Sequence, residues 1–171
     1  GSLDVETPEP ATLEGEPSRA FILTYNPMRF NAVMWLRHCR AEHQNGREVV
    51  GAWSTGSRRQ GMRQGDRVYL LRQGVEPRGI IASGRVANDD GIWMGPHFDP
   101  DETEPAGYIF IQWDSAVSEI DPLGLDVLTG VSHSSGWDYS WTPRAGGVEI
   151  PSEAMSAIQG AWSGHLSSRS S

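Results

Sequence analysis

The residues with the clearest chemical potential lie together in Gly51–Val86, GAWSTGSRRQGMRQGDRVYLLRQGVEPRGIIASGRV. Trp53 is followed by Ser54 and Thr55, and a row of cations comes next: Arg58, Arg59, Arg63, Arg72 and Arg78. A large flat ring, a polar turn and several guanidinium groups suit the holding of a planar group beside a phosphate backbone. Arginine serves this better than lysine, because its fork binds phosphate oxygens two at a time. The alternative for each arginine is pairing with an acid elsewhere in the fold.

Catalytic chemistry finds less support. No G-x-S-x-G elbow occurs, and no phosphate-binding or dinucleotide-binding glycine pattern. His38 precedes the only cysteine, Cys39, but no orienting or oxyanion motif accompanies the pair. Asp89-Asp90 and Asp99-x-Asp101 could hold a divalent ion, although acidic loops are more often simply solvated. His97-Phe98-Asp99 has the residue types for base chemistry without a partner at a known spacing. We therefore expect no catalytic residues, no metal and no cofactor.

Seven tryptophans are many for 171 residues, and Trp53, Trp93 and Trp141 are predicted in turns or loops. A loop tryptophan either folds back into the core or lines a pocket. Several of them on glycine-rich loops around one sheet suggest an aromatic cage, in which base stacking contributes about 1–3 kcal/mol per base.

The net charge of −8 argues against a polyanionic partner until its distribution is read. Residues 1–18 carry five acids and no cation, whereas residues 19–80 carry eleven arginines against four acids. The remainder carries three arginines against thirteen acids. The positive excess is thus confined to the stretch that holds Trp53.

Elements that would position these groups follow from periodicity and punctuation. Residues 1–18 are acidic and proline-rich and read as a disordered tail, with Gly1-Ser2 a cloning scar. AFILTYNP is a buried strand ending in a turn, and Asn31 caps a predicted helix through Gln44 whose apolar face holds Ala32, Trp35, Leu36 and Cys39. Strands are predicted over Arg67–Arg72 and Gly79–Val86 as an antiparallel pair. The long stretch 87–107 has no period. In YIFIQWD, Tyr108, Phe110 and Gln112 share one face and Ile109, Ile111 and Trp113 the other. Residues 117–132 mix turn and helix signals, VEI is a short strand, and Pro151-Ser152 opens a helix with Ala154, Met155, Ile158 and Trp162 on one face. Residues 166–171 read as a flexible tail. The order predicts an α+β domain with a curled or partly closed antiparallel sheet of about five or six strands flanked by helices. No run reaches the roughly 18 apolar residues of a membrane helix, so a soluble, cytoplasmic protein without a membrane partner is expected.

The combination of AFILTYNP, GAWSTG, GDRVYLLRQGVEPRGIIASGRV, YIFIQWD and the closing GGVEIP-helix resembles an EVE domain, of the PUA-like group that includes YTH domains. The similarity spans residues 19–165. It implies a domain that flips a modified base into an aromatic cage. The Gly-x-Trp-Ser-Thr element matches the YTH pattern in which the tryptophan is a cage wall, which assigns that role to Trp53 and places Ser54 at the base edge. By the same resemblance Asn26 hydrogen-bonds the base, with Tyr25 and Thr24 beside it. Trp93, Phe98 and Trp141 compete for the second wall, and Arg29, Arg58, Arg59, Arg63, Arg72 and Arg78 track the backbone. RQGVEPRGIIASGRV is most similar to EVE-type domains found beside HNH nucleases in bacterial modification-dependent restriction systems. That implies modified double-stranded DNA as ligand, with 5-methylcytosine or 5-hydroxymethylcytosine favoured, and an HNH-type nuclease domain or subunit as partner. The alternatives are a reader of N6-methyladenine or of modified RNA, or an RNA-processing enzyme component using residues 89–104 as a lid.

Overall fold

The computed structural model describes residues 6–89, 91–97, 104–143 and 146–169. Phe98, Asp90, Asp99 and Asp101 lie outside the described residues. The apolar run Ala20–Tyr25 forms β1, and the amphipathic segment Val33–Gln44 forms α1. Strands β2 (Val49–Gly56), β3 (Arg67–Arg72), β4 (Gly79–Val86), β5 (Trp93–Gly95), β6 (Ala106–Ala116) and β7 (Leu123–Gly124) follow. Helix α2 (Leu125–Ser134), β8 (Val148–Ile150) and α3 (Ser152–Ser167) complete the chain.

All eight strands belong to one sheet, in the order β2-β6-β4-β3-β1-β8, with β5 beside β6 and β7 beside β4. The α+β class and the curled sheet agree with expectation. Two details differ. The sheet is mixed, because β1 pairs with β3 in parallel after the crossover through α1 and β2. The strand count is higher because residues 49–56 are extended as β2, and because β5 and β7, three and two residues long, are too short to show a period.

Register shifts interrupt the β2–β6, β3–β4 and β4–β6 ladders, and such bulges bend and twist a sheet. The curl brings β2 back towards β1, although the two are far apart in hydrogen-bonded order. Across this seam the Trp53 indole N–H donates to the Thr24 carbonyl (2.9 Å), and Gly147 links the two sides indirectly, its carbonyl accepting from Arg58 Nε (2.6 Å) and its N–H donating to the Ile22 carbonyl (2.7 Å).

Each face of the sheet has its own cover. On the inner face, the register aligns Trp53, Ile109, Ile111 and Trp113, and α1 buries Leu36 and Cys39 while laying Trp35 against Trp113. On the outer face, Tyr69 and Ser83 are paired neighbours; α3 meets them through Trp162, whose indole N–H donates to Ser83 Oγ (2.9 Å), and through Gln159, which accepts from the Tyr69 hydroxyl. Trp113, Trp141 and Trp162 are fully buried. At the start of β4, Gly79 has φ +151°, and a Cβ there would collide with the Leu123 carbonyl of β7. Gly79→Ala is therefore expected to lower stability by about 3 kcal/mol, read from the denaturant midpoint.

Four expectations are corrected. Residues 49–56 form a strand rather than a turn at Trp-Ser-Thr, because β2 pairs along most of β6. Helix α1 starts at Val33, with Asn31 Oδ1 accepting the Val33 N–H (3.0 Å). The N-terminal segment does not trail freely throughout: the Gln112 amide accepts from Ala11 N–H (3.0 Å) and donates to its carbonyl (2.6 Å), and Arg85 donates to the Leu13 carbonyl (2.9 Å). At the other end α3 continues to Ser167, and Arg169 grips the Asp121 carboxylate with two nitrogens (2.6 and 2.8 Å). Among the described residues, no helix is long and apolar enough to cross a membrane.

Candidate nucleic-acid interface

Trp53 stands at the centre of an aromatic nest at the β1–β2 seam. Its ring meets Trp35 at 5.2 Å in a tilted arrangement, and Phe30, Trp113 and Tyr25 near edge-on at 5.7, 6.0 and 6.2 Å. Only 8% of Trp53 is exposed, whereas Phe30 is 39% exposed and forms the outer side of the nest. Most of its walls are pinned. The Trp53 N–H is held by Thr24, Trp113 lies in β6, and Trp35 in α1. The Tyr25 hydroxyl donates to Glu119 (3.1 Å) and accepts the Ala32 N–H (3.1 Å), and burial raises its pKa above the ordinary tyrosine value. Phe30 sits on the turn between β1 and α1, outside either element.

That turn is built by Asn26. Its side-chain oxygen accepts the Met28 N–H (2.9 Å), and its carbonyl accepts the N–H groups of Arg29 (3.0 Å) and Phe30 (3.2 Å). The Asn26 side chain also lies against Gly74, which has φ +88° and leaves no room for a Cβ. Asn26 therefore organises the loop beside the nest. Thr24 contributes its carbonyl to the Trp53 clasp. Ser54 alternates to the opposite face from Trp53 and its hydroxyl accepts the Gly56 N–H (3.1 Å), stabilising the end of β2.

The candidates for the second wall separate. Trp93 pairs with Tyr108 and therefore occupies the outer face, while Trp53 pairs with Ile109 on the inner one. Its ring lies on Phe110 (4.6 Å) and Tyr108 (6.1 Å). Trp141 is fully buried at φ +62°, donates its indole N–H to Ser132 Oγ (3.1 Å), and packs with Trp137 and Tyr139. Trp93 thus lies on the sheet face opposite Trp53, and Trp141 is enclosed by Ser132, Trp137 and Tyr139. Phe98 falls outside the described residues. Phe30 is the member of the nest that the sequence does not single out; its signal is an aromatic on the Asn-Pro turn, directly after the strand that carries Tyr25.

The arginines divide in the same way. Arg58 lies over the Phe21 ring at 4.8 Å and donates to Gly147, and Arg72 is 6% exposed, so both are structural. Arg78 pairs with Glu76 at 2.7 Å. Arg59 is exposed and anchored by a bond to the Gly56 carbonyl (2.7 Å), and Arg29 and Arg63 are exposed too. Burial pushes the Cys39 thiol up to about 12, which keeps it from acting as a thiolate nucleophile at neutral pH. Among the described residues no His, Cys, Asp or Glu cluster could hold a metal ion.

No protein-family description and no curated protein matches the sequence. Solved structures do match in fold. Protein PSPTO5229 from Pseudomonas syringae superimposes with a TM-score of 0.53, at 15% identity over 82% of this chain and 97% of that one. The likeness is one of fold, an α+β domain with a curled mixed sheet. The Mmi1 YTH domain, solved in complex with RNA, gives 0.51 at 14% identity, over 90% of this chain and 82% of its own. Human THYN1, in complex with 5-methylcytosine-containing DNA, gives 0.50 at 11% identity, over 84% and 96% respectively. At these identities the likeness fixes the fold, and the EVE and YTH resemblance read from the sequence holds at that level.

Proposed function

We propose that this chain reads a modified base in nucleic acid, taking the extruded base into the aromatic nest around Trp53. The observation that carries the reading is that nest: five aromatic rings at the sheet seam, of which Phe30, 39% exposed on a turn, is the outermost. A base gains access by displacing Phe30 and stacking on Trp53. Exposed Arg29 on the turn after β1, and exposed Arg59 and Arg63 on the β2–β3 connection, are the cations offered to the backbone. The complex of THYN1 with 5-methylcytosine-containing DNA supports DNA as ligand; we take it to be double-stranded, with 5-methylcytosine or 5-hydroxymethylcytosine as the base. The second reading, a modified-RNA or N6-methyladenine reader, is supported by the RNA complex of the Mmi1 YTH domain. In either case the chain binds without turnover. In a restriction setting, an HNH-type nuclease domain or subunit would supply cleavage.

The test is a binding panel of duplexes carrying 5-methylcytosine, 5-hydroxymethylcytosine or N6-methyladenine, with plain duplex and modified single-stranded RNA alongside. Preference for a modified duplex is expected, with methyl discrimination of about 1–3 kcal/mol. Equal affinity for modified and plain nucleic acid sinks the reading. Replacing Arg59 and Arg63 by Ala should weaken all duplexes alike and reduce the log K against log salt slope by about 0.9 for each phosphate no longer neutralised.

A further inference from the structure

We propose that residues 26–34, from the end of β1 into the first turn of α1, are a wedge that enters a nucleic-acid duplex and fills the place of the extruded base. The inference rests on the base-flipping reading above and adds to it the element that holds the duplex open. Three of the seven large hydrophobics exposed among the described residues fall in this short stretch: Met28 (73% exposed), Met34 (69%) and Phe30 (39%). Leaving such side chains in water has a cost, and a concentration of them marks a contact surface.

The stretch is preorganised. The three bonds that Asn26 accepts fix the turn, and Asn31 Oδ1 ties its other end to the Val33 N–H. Met28 is therefore presented on a rigid tip, whose entropy is already lost before binding. It also has the right neighbour: Phe30 reaches from the same turn into the Trp53 nest, so wedge and nest are two ends of one segment.

The charge pattern selects the partner. Arg29 follows Met28 directly, and Arg37 lies one turn along α1 from Met34, a guanidinium nitrogen 4.0 Å from its sulfur; residues 26–40 hold no acid. An apolar tip between cations matches a base stack between phosphates. Extruding a base leaves a gap in the stack at a cost of a few kcal/mol, and inserted Met or Phe side chains recover part of it. A single-stranded ligand has no such gap.

That difference supplies the experiment. Wild type and Met28→Ala are compared on the duplex that the wild type favours among those carrying 5-methylcytosine, 5-hydroxymethylcytosine or N6-methyladenine, and on the same modified strand alone. Because Met28 is exposed, the melting temperature should stay unchanged. The expected result is a loss of about tenfold on the duplex and less than about twofold on the single strand. Fluorescence of 2-aminopurine opposite the modified base should report weaker unstacking in the variant. A Met28→Ala, Met34→Ala double variant should deepen the duplex loss. Equal losses on both ligands, or none, overturn the wedge. So does a variant that changes only self-association of the chain, which would mark the patch as a protein contact. A wild type that binds plain and modified duplexes alike overturns the modified-base reading instead, and the wedge is then decided by the same variants on plain duplex against plain single strand. A wild type that binds no nucleic acid overturns both.

Discussion

Replacing Trp53 by Ala should destabilise the domain by about 3–5 kcal/mol, the usual cost of removing a buried indole. Trp53 is only 8% exposed, touches four other rings, and its N–H joins β2 to β1 across the seam. A loss of that size is a large share of the roughly 5–15 kcal/mol that holds a domain folded. Lost binding in this variant would therefore say little about a cage. Trp53→Phe is the sharper test, since it keeps a ring in the nest and removes the indole N–H and part of the stacking surface. We expect it to cost about 1–2 kcal/mol, from the unpaired Thr24 carbonyl and the smaller ring volume. That corresponds to a drop in Tm of about 2–4 °C per kcal/mol for a chain of this size. Affinity for the modified base should fall about tenfold or more, because stacking contributes about 1–3 kcal/mol per base. A Phe variant that melts slightly lower and binds normally would show that Trp53 serves only the core.

The same residue shows how far the sequence could be read. Its importance was legible, but its setting was not. VVGAWSTG contains two glycines, a serine and a threonine, and that composition reads as a turn; the chain extends there because β6 offers a full antiparallel edge. Elements with their own period were plain in advance. The apolar runs of β1, β3 and β4 and the alternation of β6 mark strands, and the i, i+3, i+4 spacing in α1 and α3 marks helices.

Side-chain destinations set by partners distant in sequence stayed hidden. The alternation of β6 already separates Tyr108 from Ile109, but it takes the pairing of β5 with β6 to put Trp93 on the Tyr108 side. Trp141 looks like a loop residue because it is one, and it is buried because Ser132 of α2 receives its N–H. Phe30 is hidden for the converse reason. Nothing local distinguishes an aromatic that leans on Trp53, some twenty residues later, from one that faces solvent. The acidic segment near Ala11 has no apolar signal, since polar bonds from Gln112 and Arg85 to its backbone hold it.

Arg72 is the strongest case, because its charge suggested a phosphate ligand and its position makes it a structural hub. It ends β3 with 6% of its surface exposed. One terminal nitrogen donates to the carbonyls of Val75 (3.0 Å) and Pro77, which shapes the β3–β4 loop. Nε lies 3.8 Å from the Glu119 carboxylate, which also accepts from the Tyr25 hydroxyl. Through Gly74, the loop packs on Asn26 and hence on the turn beside the nest. Arg72→Met keeps the length of the side chain and removes its charge and donors. Glu119, its side chain only 18% exposed, would then keep the Tyr25 hydroxyl but lose its cation, and two carbonyls would lose their donor, so we expect a loss of about 3 kcal/mol in denaturant unfolding. A second change, Glu119→Gln, should recover part of that loss because the stranded charge is gone. The salt dependence of duplex binding, measured well below the unfolding transition, should keep the wild-type slope in Arg72→Met. Arg59→Ala should lower that slope instead, with stability nearly unchanged. If Arg72→Met lowered the slope and left the unfolding midpoint in place, Arg72 would be a phosphate ligand after all, and the Tyr25–Glu119–Arg72 chain would lose its claim to hold the loop.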